Sequence, residues 1–217
     1  MTKRRKQSEM PRSPVTATRP KRPGDDSPDK SGSVGLSALL RDARKKKGLN
    51  LKDVSDATGL SIGLISQIER GLTTPSMRSL RQVAGALGLS VSSLFAHSDE
   101  EDADEGHHIV RKHMRRVLNL KSIGMHMEIM TPIEGTPIQA FVAYLLPGGM
   151  SGTEFDSHIG EEFGIIIDGQ FELFLGSQRF LLNPGDSFNF NSKTPHRYVN
   201  PGTTMTYIHW VITPPIY

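Results

Sequence analysis

Cysteine is absent from all 217 residues, so neither a disulfide framework nor a thiolate metal site can be built. That usage suits a reducing cytoplasm. Long apolar runs are missing as well, and nothing approaches the roughly 20 residues that a membrane helix needs. No apolar stretch follows the basic first residues, so export on a signal peptide is not expected and the chain reads as cytoplasmic. Apolar residues make up only 36% of the chain, which leaves part of it without a packed core. No repeat of 20–50 residues is present, so a solenoid is excluded. The length suits two domains.

Charge is scarce in sum but not in distribution. The net charge is +3. Residues 1–33 hold 9 Lys/Arg against 4 acids, and residues 34–97 repeat that ratio. Residues 98–106, "SDEEDADEG", hold six acids and no base, and residues 107–217 are near balance with 8 and 9. The positive charge of the N-terminal half points to a polyanionic partner for that half. Four pieces follow. Residues 1–33, with "KRRK", five prolines and few aliphatics, read as a disordered basic arm or as a start-site or purification artefact. Residues 34–97 carry helical periodicity, and 98–106 read as an acidic linker extended by self-repulsion. From 107 onward short apolar runs broken by Gly, Pro and Asn, such as "FGIIIDGQFELFLG", predict short strands of an antiparallel barrel or sandwich.

In the helical piece, Leu36, Leu39, Leu40 and Ala43 place an apolar stripe on a first helix, with Arg41, Arg44 and Lys45 on its other faces. Gly48 stops that helix. Asn50, with Asp53 three residues on, caps a second, whose inner face is Leu51, Val54 and Ala57. Gly59 ends it, and Ser61 caps a third helix two residues later. Leu64, Ile65 and Ile68 of that helix point inward, while Gly63, Ser66, Gln67 and Arg70 share the outward face. Short side chains enter a major groove, an amide reads base edges and a cation meets phosphate. The candidate DNA contacts are Ser61, Ile62, Gly63, Ser66, Gln67, Arg70, Arg44 and Thr73. Leu80, Val83, Ala84 and Leu87 predict a fourth helix, and Val91, Leu94 and Phe95 a short fifth. A helical bundle used for protein contacts is the alternative.

The stretch from "LSALLRDARKKKGLNL" through "SQIERG" to "ALGLSVSSLF" resembles the Xre-type, phage-repressor-like helix-turn-helix domain over its full length. That resemblance implies a five-helix, lambda-repressor-like domain that binds double-stranded operator DNA as a homodimer.

The C-terminal half contains "DSHIGEEFGIIIDG" and "PGDSFNFNSKTPHRYVN". These resemble the two motifs of the cupin barrel, a double-stranded, jelly-roll-like β-helix. His158, Glu162 and Gly169 keep the spacing of the first motif; Gly185, His196 and Asn200 keep that of the second. Asp156 stands where the first histidine is usual, and Asn191 and Lys193 replace a turn Pro and Gly. The ending "WVITPPIY" is similar to cupin domains fused to Xre-type readers. The fold class is therefore two-domain, α plus all-β.

The resemblance implies a ligand set of Asp156, His158, Glu162 and His196, with strand alternation putting Asp156 and His158 on one wall. Two imidazoles and one or two carboxylates suit a divalent metal (Zn, Fe, Mn or Ni). The alternative is that His158 and His196 are hydrogen-bonded interior groups. Without a metal, Asp156 and Glu162 leave the pocket anionic and suited to an amine-bearing ligand. His209 is a further candidate for the interior, whereas His107, His108 and His113 read as surface. Two functions are weighed: a transcriptional regulator whose cupin domain senses a small-molecule effector, and a cupin metalloenzyme of dioxygenase or isomerase type with a DNA-binding appendage. A complete reader beside an incomplete catalytic ligand set favours regulation and no enzyme.

Overall fold

The computed structural model describes residues 31–95, 108–132 and 136–215. The acidic linker at 98–106, His107 and nearly all of the basic arm lie outside these residues.

Helices α1 (Ser31–Lys46), α2 (Leu51–Thr58), α3 (Ile62–Glu69) and α4 (Met77–Ala86) form the first domain. Its core is Leu36, Leu40, Val54, Ile65, Ile68 and Leu80. The caps follow local chemistry. The Asp53 N–H donates to Asn50 Oδ1 at 3.0 Å and the Asn50 N–H to Asp53 Oδ2 at 2.7 Å, closing a capping box on α2. Gly59 ends α2 in the left-handed region at φ 74°, which favours glycine, and the Leu64 N–H donates to Ser61 Oγ at the start of α3. The expected fifth helix is a single 3₁₀ turn at Ser92–Leu94. Ser90 Oγ accepts from the Ser93 N–H, and Phe95 is already extended. Three residues are too few for an α ladder, although Val91, Leu94 and Phe95 are buried as expected.

Arg44 does not stand on the surface. Its Nε and Nη2 donate to the two oxygens of Glu69 at 2.7 and 2.8 Å, and Nη1 donates to the Leu49 carbonyl at 2.8 Å. The two side chains are only 13% and 7% exposed. This forked pair ties α1 to the end of α3, so the expectation that Arg44 meets phosphate gives way to a framework role.

Strands β1 (Val117–Leu120), β2 (Met125–Ile129), β3 (Gln139–Leu145), β4 (Glu161–Asp168), β5 (Phe171–Leu175), β6 (Gln178–Leu182), β7 (Ser187–Asn191), β8 (His196–Val199) and β9 (Thr206–Thr213) form the second domain. One sheet runs β1-β2-β3-β9-β4-β7 and the other β6-β5-β8, with antiparallel pairing. Alternation sends one side of each sheet inward. Trp210 is fully buried between them, edge-on to Phe171 and Phe188 with centroids at 5.6 and 5.1 Å and tilted on Tyr198 at 4.9 Å. Gly164 makes room for this cluster, because a Cβ there would lie 2.3 Å from the Phe188 ring.

The two domains dock. The N–H of Met77, first residue of α4, donates to the Ser151 carbonyl at 2.9 Å, and Arg78 Nη1 donates to the Phe155 carbonyl at 2.9 Å. A Cβ on Gly152 would come within 2.7 Å of Ser76 Cβ, so a glycine is required at this approach. The buried apolar residues of both domains form one continuous cluster.

Arg44→Ala should destabilise the protein by about 3–5 kcal/mol, since Glu69 would be left buried without its partner. Arg44→Met with Glu69→Leu should recover most of that loss in urea unfolding. Wild-type stability in Arg44→Ala, with only a flatter salt dependence of DNA binding, would return this arginine to the phosphate backbone.

Candidate nucleic-acid interface and metal centre

On α3, Ile65 and Ile68 are buried and Leu64 packs against the core. Ser61, Ile62, Gly63, Gln67 and Arg70 are exposed, and Ser66 and Thr73 are partly exposed. Arg70 Nε donates to the Ser66 carbonyl at 3.2 Å, folding the side chain back along the helix end. The tight α2–α3 turn is held by Ser55 Oγ, which donates to the Leu60 carbonyl at 2.6 Å. Seven of the eight candidate DNA contacts thus lie at or near one accessible helix, and Arg44 does not join them.

In the barrel, Glu162 leaves β4 toward the interior and is 2% exposed. Its Oε2 accepts a hydrogen bond from Trp210 Nε1 at 3.0 Å. Its Oε1 faces His158 Nε2 at 2.9 Å and His196 Nε2 at 3.3 Å. The other ring nitrogens are fixed by carbonyls, which only accept: His158 Nδ1 donates to Ile159 O at 3.0 Å and His196 Nδ1 to Thr194 O at 2.8 Å. In neutral rings both Nε2 lone pairs therefore point at the same carboxylate oxygen. Two lone pairs and a buried anion repel unless a proton or a metal ion lies among them. The three ligand atoms sit within 4.8 Å of one another, close enough to share one ion.

Asp156 departs from the expected set. It lies outside the named strands, paired across an isolated bridge with His196, and its carboxylate is held by Arg81 of α4. Arg81 Nη1 donates to Oδ1 at 3.1 Å and Nη2 donates to Oδ2. Of the four expected ligands, then, three converge on one point. Asp156 lines the same cavity but spends its charge on an arginine, which also removes half of the negative charge behind the expected amine-bearing ligand.

His209 is outside altogether. On β9 Thr206, Ile208, Trp210 and Ile212 point inward, so His209 shares the outer face with Tyr207, whose Oη lies 2.8 Å from its Nε2. Partial burial, and then the charge of Arg115, hold its imidazole below the ordinary histidine range. His108 and His113 are exposed, as expected.

The cavity above the three ligands has a volume of about 40 Å³. Its walls come from both domains: Met77, Arg81, Val91 and Phe95 from the first, Phe141 and Tyr198 among others from the second. Burial pushes the Tyr198 phenol up, with the Glu162 and Asp156 charges adding, so it stays a neutral hydroxyl. Sequence reasoning missed Arg81 and Trp210. Only the indole could have been suspected, as the sole tryptophan in a barrel strand.

Residues 141–212 match the family described as Cupin domain, and residues 40–94 that described as Helix-turn-helix. The HTH-type transcriptional regulator PuuR of Escherichia coli (strain K12) is 26% identical over 161 residues, 74% of this chain and 85% of that protein. SutR, an HTH-type transcriptional regulator of the same strain, is 24% identical over 82% of this chain and 93% of its own length. Among solved structures, an HTH_3 family transcriptional regulator from Vibrio cholerae shares the fold at a TM-score of 0.60, with 23% identity over 85% of this chain and 97% of its own.

A double-mutant cycle between Trp210→Phe and Glu162→Leu should return a coupling of about 1–3 kcal/mol in thermal unfolding, the cost of a buried acceptor losing its donor. A coupling near zero would show that the indole only packs.

Proposed function

We propose that this helix-turn-helix transcriptional regulator uses its C-terminal cupin domain to sense a small-molecule effector, with a divalent ion held by His158, Glu162 and His196. The observation that carries the reading is the position of that cluster. It lies directly beneath α4 of the DNA-reading domain, so the occupancy of one domain bears on the placement of the other. Effector binding then changes operator affinity to the extent that the effector prefers one domain arrangement.

DNA is read by α3, with Gln67 on a base edge, Ser66 beside it and Arg70 on a phosphate. Ser61, Ile62, Gly63 and Thr73 make the short-range contacts around them. The protein binds as a homodimer to a two-fold operator whose half-sites are centred about 34 Å apart. On a duplex recovered by in vitro selection from a random pool, Gln67→Ala should lose about 1–3 kcal/mol of discrimination at one position per half-site. Arg70→Ala should weaken all sequences alike and reduce the salt slope by about one. A change of base preference in Arg70→Ala, with none in Gln67→Ala, would reverse these roles.

The donor set fits a divalent metal. Two imidazoles whose far nitrogens are pinned, with one carboxylate, suit Zn, Fe, Mn or Ni, and leave open positions for an effector's oxygen or nitrogen. Bound there, the ion supplies Lewis acidity and a fixed positive charge. The chain's own residues orient the rings, exclude water and hold Glu162 in place. The same donor set serves metalloenzymes, which keeps one second reading: a dioxygenase- or isomerase-type cupin. The size of the cavity speaks against it, because about 40 Å³ takes an ion with a few waters and lies far below the roughly 300–1,000 Å³ of substrate sites. We therefore assign the chain no catalytic activity. Oxygen uptake by Fe(II)-loaded protein with candidate metabolites is the measurement that would overturn this.

Trp210 is the only tryptophan and touches Glu162, so its fluorescence reports the site. Zn(II) or Mn(II) added to the full chain should change that signal. At a hundredfold excess over Kd it should also raise stability by about 2.7 kcal/mol. His158→Ala with His196→Ala should abolish both effects. An unchanged response in the double variant would place any metal elsewhere.

A further inference from the structure

The ion pair between Arg81 and Asp156 stands between two spaces. On its inner side lies the small cavity above Glu162; on its outer side lies a cleft of about 470 Å³ between the domains. Arg81, Asp156 and His158 line both. The cleft's remaining walls are Arg78 and Gln82 from α4 and Phe155, Ser157 and Pro195 from the barrel. Its size falls within the range of small-molecule sites, whereas the inner cavity does not.

We infer that the effector site is shared between the domains, and that Arg81 is its latch: a residue of the DNA-reading domain that closes the cupin site and carries its state to α3. The inference rests on the effector-sensing reading and names the residue through which the sensing works. Three observations support it. The pair is bidentate and buried, with the two side chains 13% and 9% exposed. Asp156 occupies the position of a usual metal ligand but points its charge at α4, and its Oδ1 also accepts from the Ser157 N–H at 2.9 Å. Arg81 Nε is buried and has no hydrogen-bond partner among the described residues, so the guanidinium is held by this carboxylate. A molecule that passes from the cleft between Arg81 and Asp156 toward Glu162 parts the pair. Parting it leaves two buried charges that must be satisfied anew, by the entering molecule or by water after α4 lifts. Since α4 follows α3 within one packed domain, a lifted α4 moves the reading surface relative to the barrel.

The absence of cysteine allows spin labels at Lys46→Cys and Gln178→Cys, both exposed, one in each domain. Electron–electron distance measurement on the full chain should give a narrow distribution. Arg81→Gln, Asp156→Asn and the double variant should broaden it to the same extent, as two members of one contact do. In the same three backgrounds, without labels, the Trp210 fluorescence change on adding Zn(II) alone should be several-fold faster than in wild type. Narrow distributions in the single variants, or broadening that adds in the double, would overturn the latch. So would a clear fluorescence response to Zn(II) whose rate ignores both substitutions. A chain that gives no response to Zn(II) counts against the metal reading, while the distance arm still decides the latch.

Discussion

A carboxylate removed from water must be answered by its surroundings, and Glu162 is 2% exposed in the centre of the barrel. Much of the second domain can be traced from that requirement. Strand β4 lies between β9 and β7, so Glu162 sits opposite Ile212 on one side and Phe190 on the other. Trp210, two residues before Ile212 on β9, is thereby within reach of Oε2, and the aromatic cluster around the indole fixes its plane. The loop before β4 and the start of β8 bring His158 and His196 to the second oxygen. Carbonyls behind each ring then decide which nitrogen faces inward.

Helix α4 serves two neighbours at once. Leu80 and Val83 belong to the core of the reading domain, while Met77 and Arg81 close the barrel. A helix that satisfies both cannot shift freely against either. Small changes in the cavity therefore meet a stiff, packed element, which is how interior events are carried over distance in closely packed proteins.

What could be read from the sequence was local. The capping box at Asn50 and Asp53, the left-handed Gly59 and the Ser61 cap each depend on chemistry within a few residues, and each stands where that chemistry puts it. The inward and outward faces of α3 followed from periodicity. His158, Glu162 and His196 were placed together through spacing in a resembled family, and they do converge. The failures were long-range. Arg44 looked like a surface cation because its partner, Glu69, lies 25 residues away on another helix. Asp156 looked like a ligand because Arg81, 75 residues earlier, belongs to the other domain. Charge partners across a tertiary contact leave no trace in spacing. His209 is a different case, since the alternation of Ile208, Trp210 and Ile212 already assigns it to the outer face.

The continuous apolar cluster across the domain boundary bears on how such chains can be recombined. Reader and barrel look like interchangeable parts when each is described alone. Here Val91, Leu94 and Phe95 finish the first domain while Val91 and Phe95 also line the cavity in the second. Gly152 leaves the space that the Ser76 side chain fills. A graft of a foreign reader onto this barrel would have to import the complementary surface as well as the fold. The two halves form a matched pair, and a substitution on either side of the seam has to suit the other.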